Sequence, residues 1–191
     1  MRYLTFLLPL VFFITSCGGG GSDNQQKADQ SQDTQAATEQ SGNDDVRTIE
    51  IIGVDQMKFV VKDDSQEGVV TGEKVGDMLL LETITAKPGE KIHVKLTTKS
   101  KLPAAAMSHN FLLLKRDANA EAIDKAAAKA KDNDYIPSDM TDQILAHTDL
   151  AAGGETVEVT FTAPDSAGEN EFMCSFPGHY ASGMKGTLKV E

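Results

Sequence analysis

Residues 170–191 read NEFMCSFPGHYASGMKGTLKVE: two strand-like segments, NEFMCSF and MKGTLKVE, on either side of a loop. Pro177 and the glycines at 178, 183 and 186 punctuate this run and mark a tight loop rather than a strand interior. Cys174, His179 and Met184 stand in this run with four residues between each pair. A thiol, an imidazole and a thioether packed so closely call for a chemical explanation as well as a structural one.

Upstream, ETVEVTFTAP alternates Val157, Val159 and Phe161 over a polar face, and HNFLLL reads as a more buried strand. KPGEKIHVKLTTKS turns at Pro88-Gly89 and then alternates Ile92, Val94 and Leu96; DMLLLETITA, KFVVKD and RTIEIIGV precede it with strand signals. The intervals are those of an antiparallel sandwich. After HNFLLL the pattern changes to DANAEAIDKAAAKAKDNDY, alanine-rich, acidic early and basic late, which predicts a short inserted helix. The expectation is an all-β fold: a Greek-key β-sandwich or barrel of about eight strands with one helix. Residues 46–191 are the size of one domain with a single core.

His109, at the start of HNFLLL, is a fourth candidate. Two imidazoles and a thiolate in a trigonal arrangement, with a weak axial thioether, form the ligand set of a blue-copper electron-transfer site. The thiolate donates strongly to Cu(II), the sulfur donors are acceptable to Cu(I), and imidazole suits both, so little rearrangement accompanies one-electron exchange.

Three separated runs, MSHNFLLL, ILAHTDLAAGGETVEVTF and FMCSFPGHYASGMKGTL, resemble those of azurin and its lipid-anchored or membrane-tethered relatives such as auracyanin, with weaker similarity upstream at GVDQMKF. This azurin/auracyanin-like family of type 1 copper proteins has the cupredoxin fold. The resemblance implies one copper ion cycling between Cu(II) and Cu(I), with His109, Cys174 and His179 as equatorial ligands and Met184 as the axial one. Asn110 matches the family asparagine whose hydrogen bonds tie the ligand segments together and tune the thiolate. Three departures stand out. Ser108 replaces the azurin glycine before the first ligand; the loop from His179 to Met184 is one residue longer, as in auracyanin; and the azurin disulfide has no cysteines to form it.

Other groups fit blander roles. His147 matches a non-ligand histidine of azurin, His93 faces away from Ile92 and Val94, and the acids of DNDYIPSDMTD lack the spaced oxygens and glycine of a calcium loop. A C-x-x-C-H haem motif is absent. A thiol enzyme using Cys174 and His179 would need an orienting or oxyanion motif that does not accompany the pair, so the expectation is a protein that is not an enzyme. The competing function is copper storage or delivery, which predicts exposed, exchangeable ligands and methionine- or histidine-rich tracts.

The first residues, MRYLTFLLPLVFFITSCGGGGS, carry Arg2, an apolar run from Leu4 to Ile14, and then Cys17. That order is a secretory signal, too short to span a bilayer as a helix, and ITSC resembles the lipobox of bacterial lipoproteins. The expected organisation is a signal peptide over 1–16, lipidation of Cys17 with a flexible tether over 17–45, and the domain over 46–191. With Cys17 lipidated, Cys174 has no disulfide partner in an oxidising compartment and needs another role. Residues 18–45 carry six acids and one lysine, and the whole chain has a net charge of −11. That balance argues against nucleic acid as a partner. The expected partners are the membrane, through the lipid, and transient redox proteins of the cytochrome or terminal oxidase or reductase type, met by a monomer. The expected location is the periplasmic or outer side of a bacterial membrane. Gly18, in place of an aspartate that retains lipoproteins at the inner membrane, favours the outer one.

Overall fold

A computed structural model of the chain describes residues 46–191. The expected signal peptide, Cys17 and the tether lie outside the described residues. The strands are β1 (Arg47–Val54), β2 (Lys58–Val61), β3 (Val69–Val75), β4 (Met78–Ala86), β5 (Lys91–Lys99), β6 (Ser108–His109) and β7 (Leu112–Leu114). Helix α1 (Ala120–Ala127) follows, and then β8 (Ile144–His147), β9 (Ala151–Ala152), β10 (Thr156–Thr162), β11 (Gly168–Met173) and β12 (Lys185–Val190).

Hydrogen bonding runs along one path, β10-β5-β1-β2-β4-β12-β11-β7-β8, with β3 added beside β4 and a separate β6–β9 pair. The path's terminal strands, β8 and β10, approach each other and nearly close the barrel. Among the described residues the fold is mostly β with one α-helix, as the alternation predicts. Two pairings depart from the antiparallel expectation: β1 runs parallel to β5, and β4 parallel to β12. Parallel partners need a long connection, and β2 to β4 provide one for the first pair. Three strands, β3, β8 and β9, carry little or no alternation and were not anticipated, and the single strand expected from His109 onward is split into β6 and β7. β3 is irregular, with register shifts on either side of Thr71.

Ile92, Val94, Leu96 and Thr98 of β5 are buried while their neighbours are not. This is the period of 2 that puts alternate side chains on one face. Phe59, Phe111 and Phe172 form the aromatic centre of the core, with ring centroids 5.2–6.2 Å apart. β7 is buried at every position because it is covered on both faces: Leu113 joins the main core, while Leu112 and Leu114 pack with Ala120 and Ile123 of α1. A run buried on both sides has no reason to alternate.

Asn119 caps α1, its side chain accepting from the Ala122 amide at 3.0 Å. The helix is shorter than its alanine-rich run. Beyond Ala128 the chain passes through a 3₁₀ turn at Lys131–Asn133, and Asp134 and Tyr135 then adopt left-handed backbone conformations, φ 49° and 60°. This reversal returns Tyr135 and Ile136 to buried positions.

Candidate metal centre

Cys174 is the first residue past β11 and Met184 the last before β12, so the ends of one hairpin loop meet there. The Cys174 amide donates to the Met184 carbonyl at 3.1 Å. Inside the loop His179 N–H donates to Phe176 O, Gly183 N–H to Tyr180 O, and Met184 N–H back to His179 O, at 2.8–3.0 Å. Gly183 has φ +84°, a conformation glycine adopts without steric cost. From β2, Lys58 Nζ donates to the Ser182 carbonyl at 2.6 Å. The loop is therefore closed on itself and tied to the barrel wall.

His109 arrives separately, on β6, which pairs with β9 through His109↔Ala151. Its ring lies against Gly53 of β1, where a Cβ would come within 2.5 Å of Cδ2. Gly53 is thus a requirement of close approach. Thr98 and Thr148 hold this side: Thr98 Oγ1 donates to Ala151 O at 3.0 Å, and Thr148 Oγ1 accepts from the Phe111 amide at 3.0 Å.

The two routes converge. His109 Nδ1 lies 3.2 Å from His179 Nδ1, and the Cys174 sulfur lies 3.4 Å from His179 Nδ1 and 4.0 Å from His109 Nδ1. A point equidistant from three atoms so spaced is about 2.1 Å from each, the length of a metal–imidazole or metal–thiolate bond. The donor set fits a trigonally bound ion. Met184 is fully buried beside them, and the four residues are positioned as a type 1 copper site. His109, Cys174 and Met184 are fully buried and His179 is 2 % exposed.

Asn110 joins the two routes. Its Oδ1 accepts from the Ser175 amide at 2.9 Å, and its Nδ2 donates to Ser175 Oγ at 2.9 Å and to the Asp134 carbonyl at 3.0 Å. Ser175 Oγ donates in turn to the Tyr135 carbonyl at 2.7 Å. Ser175 was not singled out from the sequence; its position directly after the cysteine is the signal that was available. Phe176 completes the surround, its ring 4.8 Å from His179 and 5.1 Å from Tyr135.

Burial sets the protonation states of these side chains. It pushes the Cys174 thiol up to about 12, against the pull of the Asn110 and Phe176 backbone N–H groups. It lowers His109 to about 3, helped by the neighbouring His179, and lowers His179 to about 4. Both imidazoles are therefore neutral at ordinary pH, the state in which a ring nitrogen can ligate. His147 is exposed and bonds only locally, Nδ1 to the Thr148 carbonyl. His93 sits at Thr160 and Glu158 on the outer face. Neither joins the cluster.

A nearly closed β-barrel that brings these four donors together defines a blue copper protein of the cupredoxin class. The model of the copper binding proteins of the plastocyanin/azurin family matches residues 66–191, and the chain belongs to that family. It is 37% identical over 146 residues to azurin of Bordetella pertussis, covering 75% of this chain and 83% of that one. It is 32% identical to auracyanin-A of Chloroflexus aurantiacus over 193 residues, covering all of this chain and 96% of that one. Among solved structures, dithionite-reduced auracyanin of Roseiflexus castenholzii superposes with a TM-score of 0.56 at 28% identity, covering 76% of this chain and 97% of that one. Cupredoxins of this azurin and auracyanin type are electron carriers.

Proposed function

We propose that this chain is a membrane-anchored carrier that shuttles single electrons between redox partner proteins, and that His109, Cys174, His179 and Met184 would hold its copper ion. The observation that carries this reading is the donor triangle, already spaced for a metal among buried side chains. Bound copper would supply the one-electron Cu(II)/Cu(I) couple. The protein's part is to keep the donors still, since a site that does not rearrange exchanges electrons at little cost. Asn110 and Ser175 fix the two ligand segments to each other, and Phe176 packs on His179. Backbone N–H groups of Asn110 and Phe176 directed at the Cys174 sulfur stabilise its thiolate form.

His179, the ligand with measurable exposure, is the way in and out for the electron. Exposed Pro177 and Ala181 and half-buried Tyr180 flank it. A small apolar surface of this kind suits brief docking by a redox partner. The protein acts as a monomer and catalyses no reaction of its own. Cys17 carries the lipid, on the outer side of a bacterial membrane, and the tether lets the domain search for partners without leaving the surface. The match to auracyanin-A takes in the whole chain, the first 45 residues included, which supports this arrangement. Storage or delivery of copper would call for exposed, exchangeable donors, and these four are buried.

The test is the visible spectrum of the purified full chain after addition of Cu(II), beside Cys174→Ser. An intense charge-transfer band that disappears in the variant and bleaches reversibly on reduction is the expected result. A colourless wild-type protein that holds Cu(I) tightly would overturn the carrier reading in favour of delivery.

A further inference from the structure

The dipeptide Asp134–Tyr135 lies far from all four donors in sequence, yet it is connected to three of them. The Asp134 carbonyl accepts from Asn110, the residue after His109. The Tyr135 carbonyl accepts from Ser175, the residue after Cys174. The Tyr135 ring meets Phe176 edge-on at 5.1 Å, and Phe176 lies 4.8 Å from His179.

The backbone of these two residues is unusual. Both have positive φ without being glycine, and Met57 is the one other such residue among the described residues. A left-handed non-glycine residue is strained by its Cβ, and two in succession persist only where the surroundings over-determine them. Here the surroundings are identifiable: Tyr135 N–H is held by Ala130 O at 3.0 Å, the two carbonyls are taken by Asn110 and Ser175, and Asn133 Nδ2 bonds Ile136 O at 2.6 Å. Two successive residues in one helical-type region direct their carbonyls to the same side, which extended residues do not do. That is how neighbouring carbonyls serve two ligand segments that are remote in sequence and lie beside the paired strands β7 and β11.

Building on the copper reading above, we infer that Asp134–Tyr135 is a positioning element of the metal centre: it sets the spacing between His109 and Cys174 through its carbonyls and the orientation of His179 through the Tyr135 ring. The strained turn stores no chemistry of its own. It fixes the ring and the two backbone segments before metal arrives.

The experiment uses the full chain with Tyr135→Leu, which keeps an apolar side chain but loses the ring edge, and Tyr135→Phe, which keeps the ring. In the metal-free protein, amide hydrogen exchange at 175–179 should rise about tenfold in the leucine variant while β5 is unchanged, and should return to wild type in the phenylalanine variant. In the copper-loaded protein the leucine variant should shift the charge-transfer band and the midpoint potential, and the phenylalanine variant should shift neither. Unchanged exchange at 175–179 in Tyr135→Leu overturns the inference, as does an equal change in both variants. Because the exchange is read without metal, it judges the positioning role even if the wild-type chain gives no blue band, an outcome that would overturn the copper reading alone.

Discussion

His109 comes to the metal centre on a two-residue strand paired with β9, whereas Cys174, His179 and Met184 come on one loop closed by its own backbone bonds. The loop is prepared by nearby sequence: its turns, its glycines and the hairpin of β11 and β12 bring its ends together. His109 has no such local preparation. Its place is set by packing against Gly53, by Thr98 holding β9, and by the bonds of Asn110 to Ser175. One side of the site is therefore a local structure and the other a tertiary one, and Asn110 is where they are joined.

The largest expected effect comes from cutting that joint. Asn110→Ala removes two buried hydrogen bonds and one part-buried one and leaves the Ser175 amide without its acceptor, so metal-free stability should fall by about 4 kcal/mol, read by chemical denaturation. An unchanged midpoint would mean that the halves are held together by something other than this side chain.

Acid should weaken both halves through their imidazoles. His109 and His179 have folded values lowered to about 3 and about 4, so between the ordinary value of 6.5 and those limits the unfolded chain binds the extra protons. The metal-free protein therefore keeps this stability above about pH 6.5 and loses it progressively as the pH falls to 3–4. The slope is on the order of 1.4 kcal/mol per pH unit for each histidine, roughly 2 to 3 for the pair. Thermal melts at pH 7, 6 and 5 would measure it, and copper should steepen the slope, because the bound imidazoles still exclude protons and the bound thiolate has released the one the free thiol keeps.

Gly53→Ala presses only on the tertiary side. The new methyl would overlap the His109 ring, and displacing it should cost about 2 kcal/mol. Nuclear magnetic resonance should show His109 shifted while the bonds within 176–184 persist; movement of both would mean that the loop depends on His109 for its shape. Asn119→Ala is the distant control. Losing the α1 cap should cost about 1 kcal/mol in denaturation and leave the blue band unaltered.

This division explains what could be read in advance. β5, β10 and the loop-bearing β11–β12 hairpin were legible because one face of each is buried and the other is wet, or because glycine and proline mark their ends. β7 was legible as an apolar run, although the cause of its complete burial, the cover by α1, is a tertiary fact. β6 and β9 are two residues each and carry no period, and the parallel pairings of β1 and β4 have no local signature. The four donors were legible from residue type, spacing and family resemblance. Ser175, Gly53, Lys58 and Tyr135 were not singled out, because each acts through a contact with a residue remote in sequence. Tyr135 in particular lay in a stretch read as the end of a helix, where its left-handed backbone leaves no mark in composition.

The two parallel pairings also bear on how the chain assembles. β1 must wait for β5, and β4 must wait for β12, the last strand of the described residues. Topologies dominated by such remote contacts fold slowly, in roughly milliseconds to seconds, because loop-closure entropy is spent before the contacts form. The β11–β12 hairpin needs no such wait. During folding the three-donor loop should therefore be structured while His109 is still outside, and the histidine that completes the cage should be the last donor to enter.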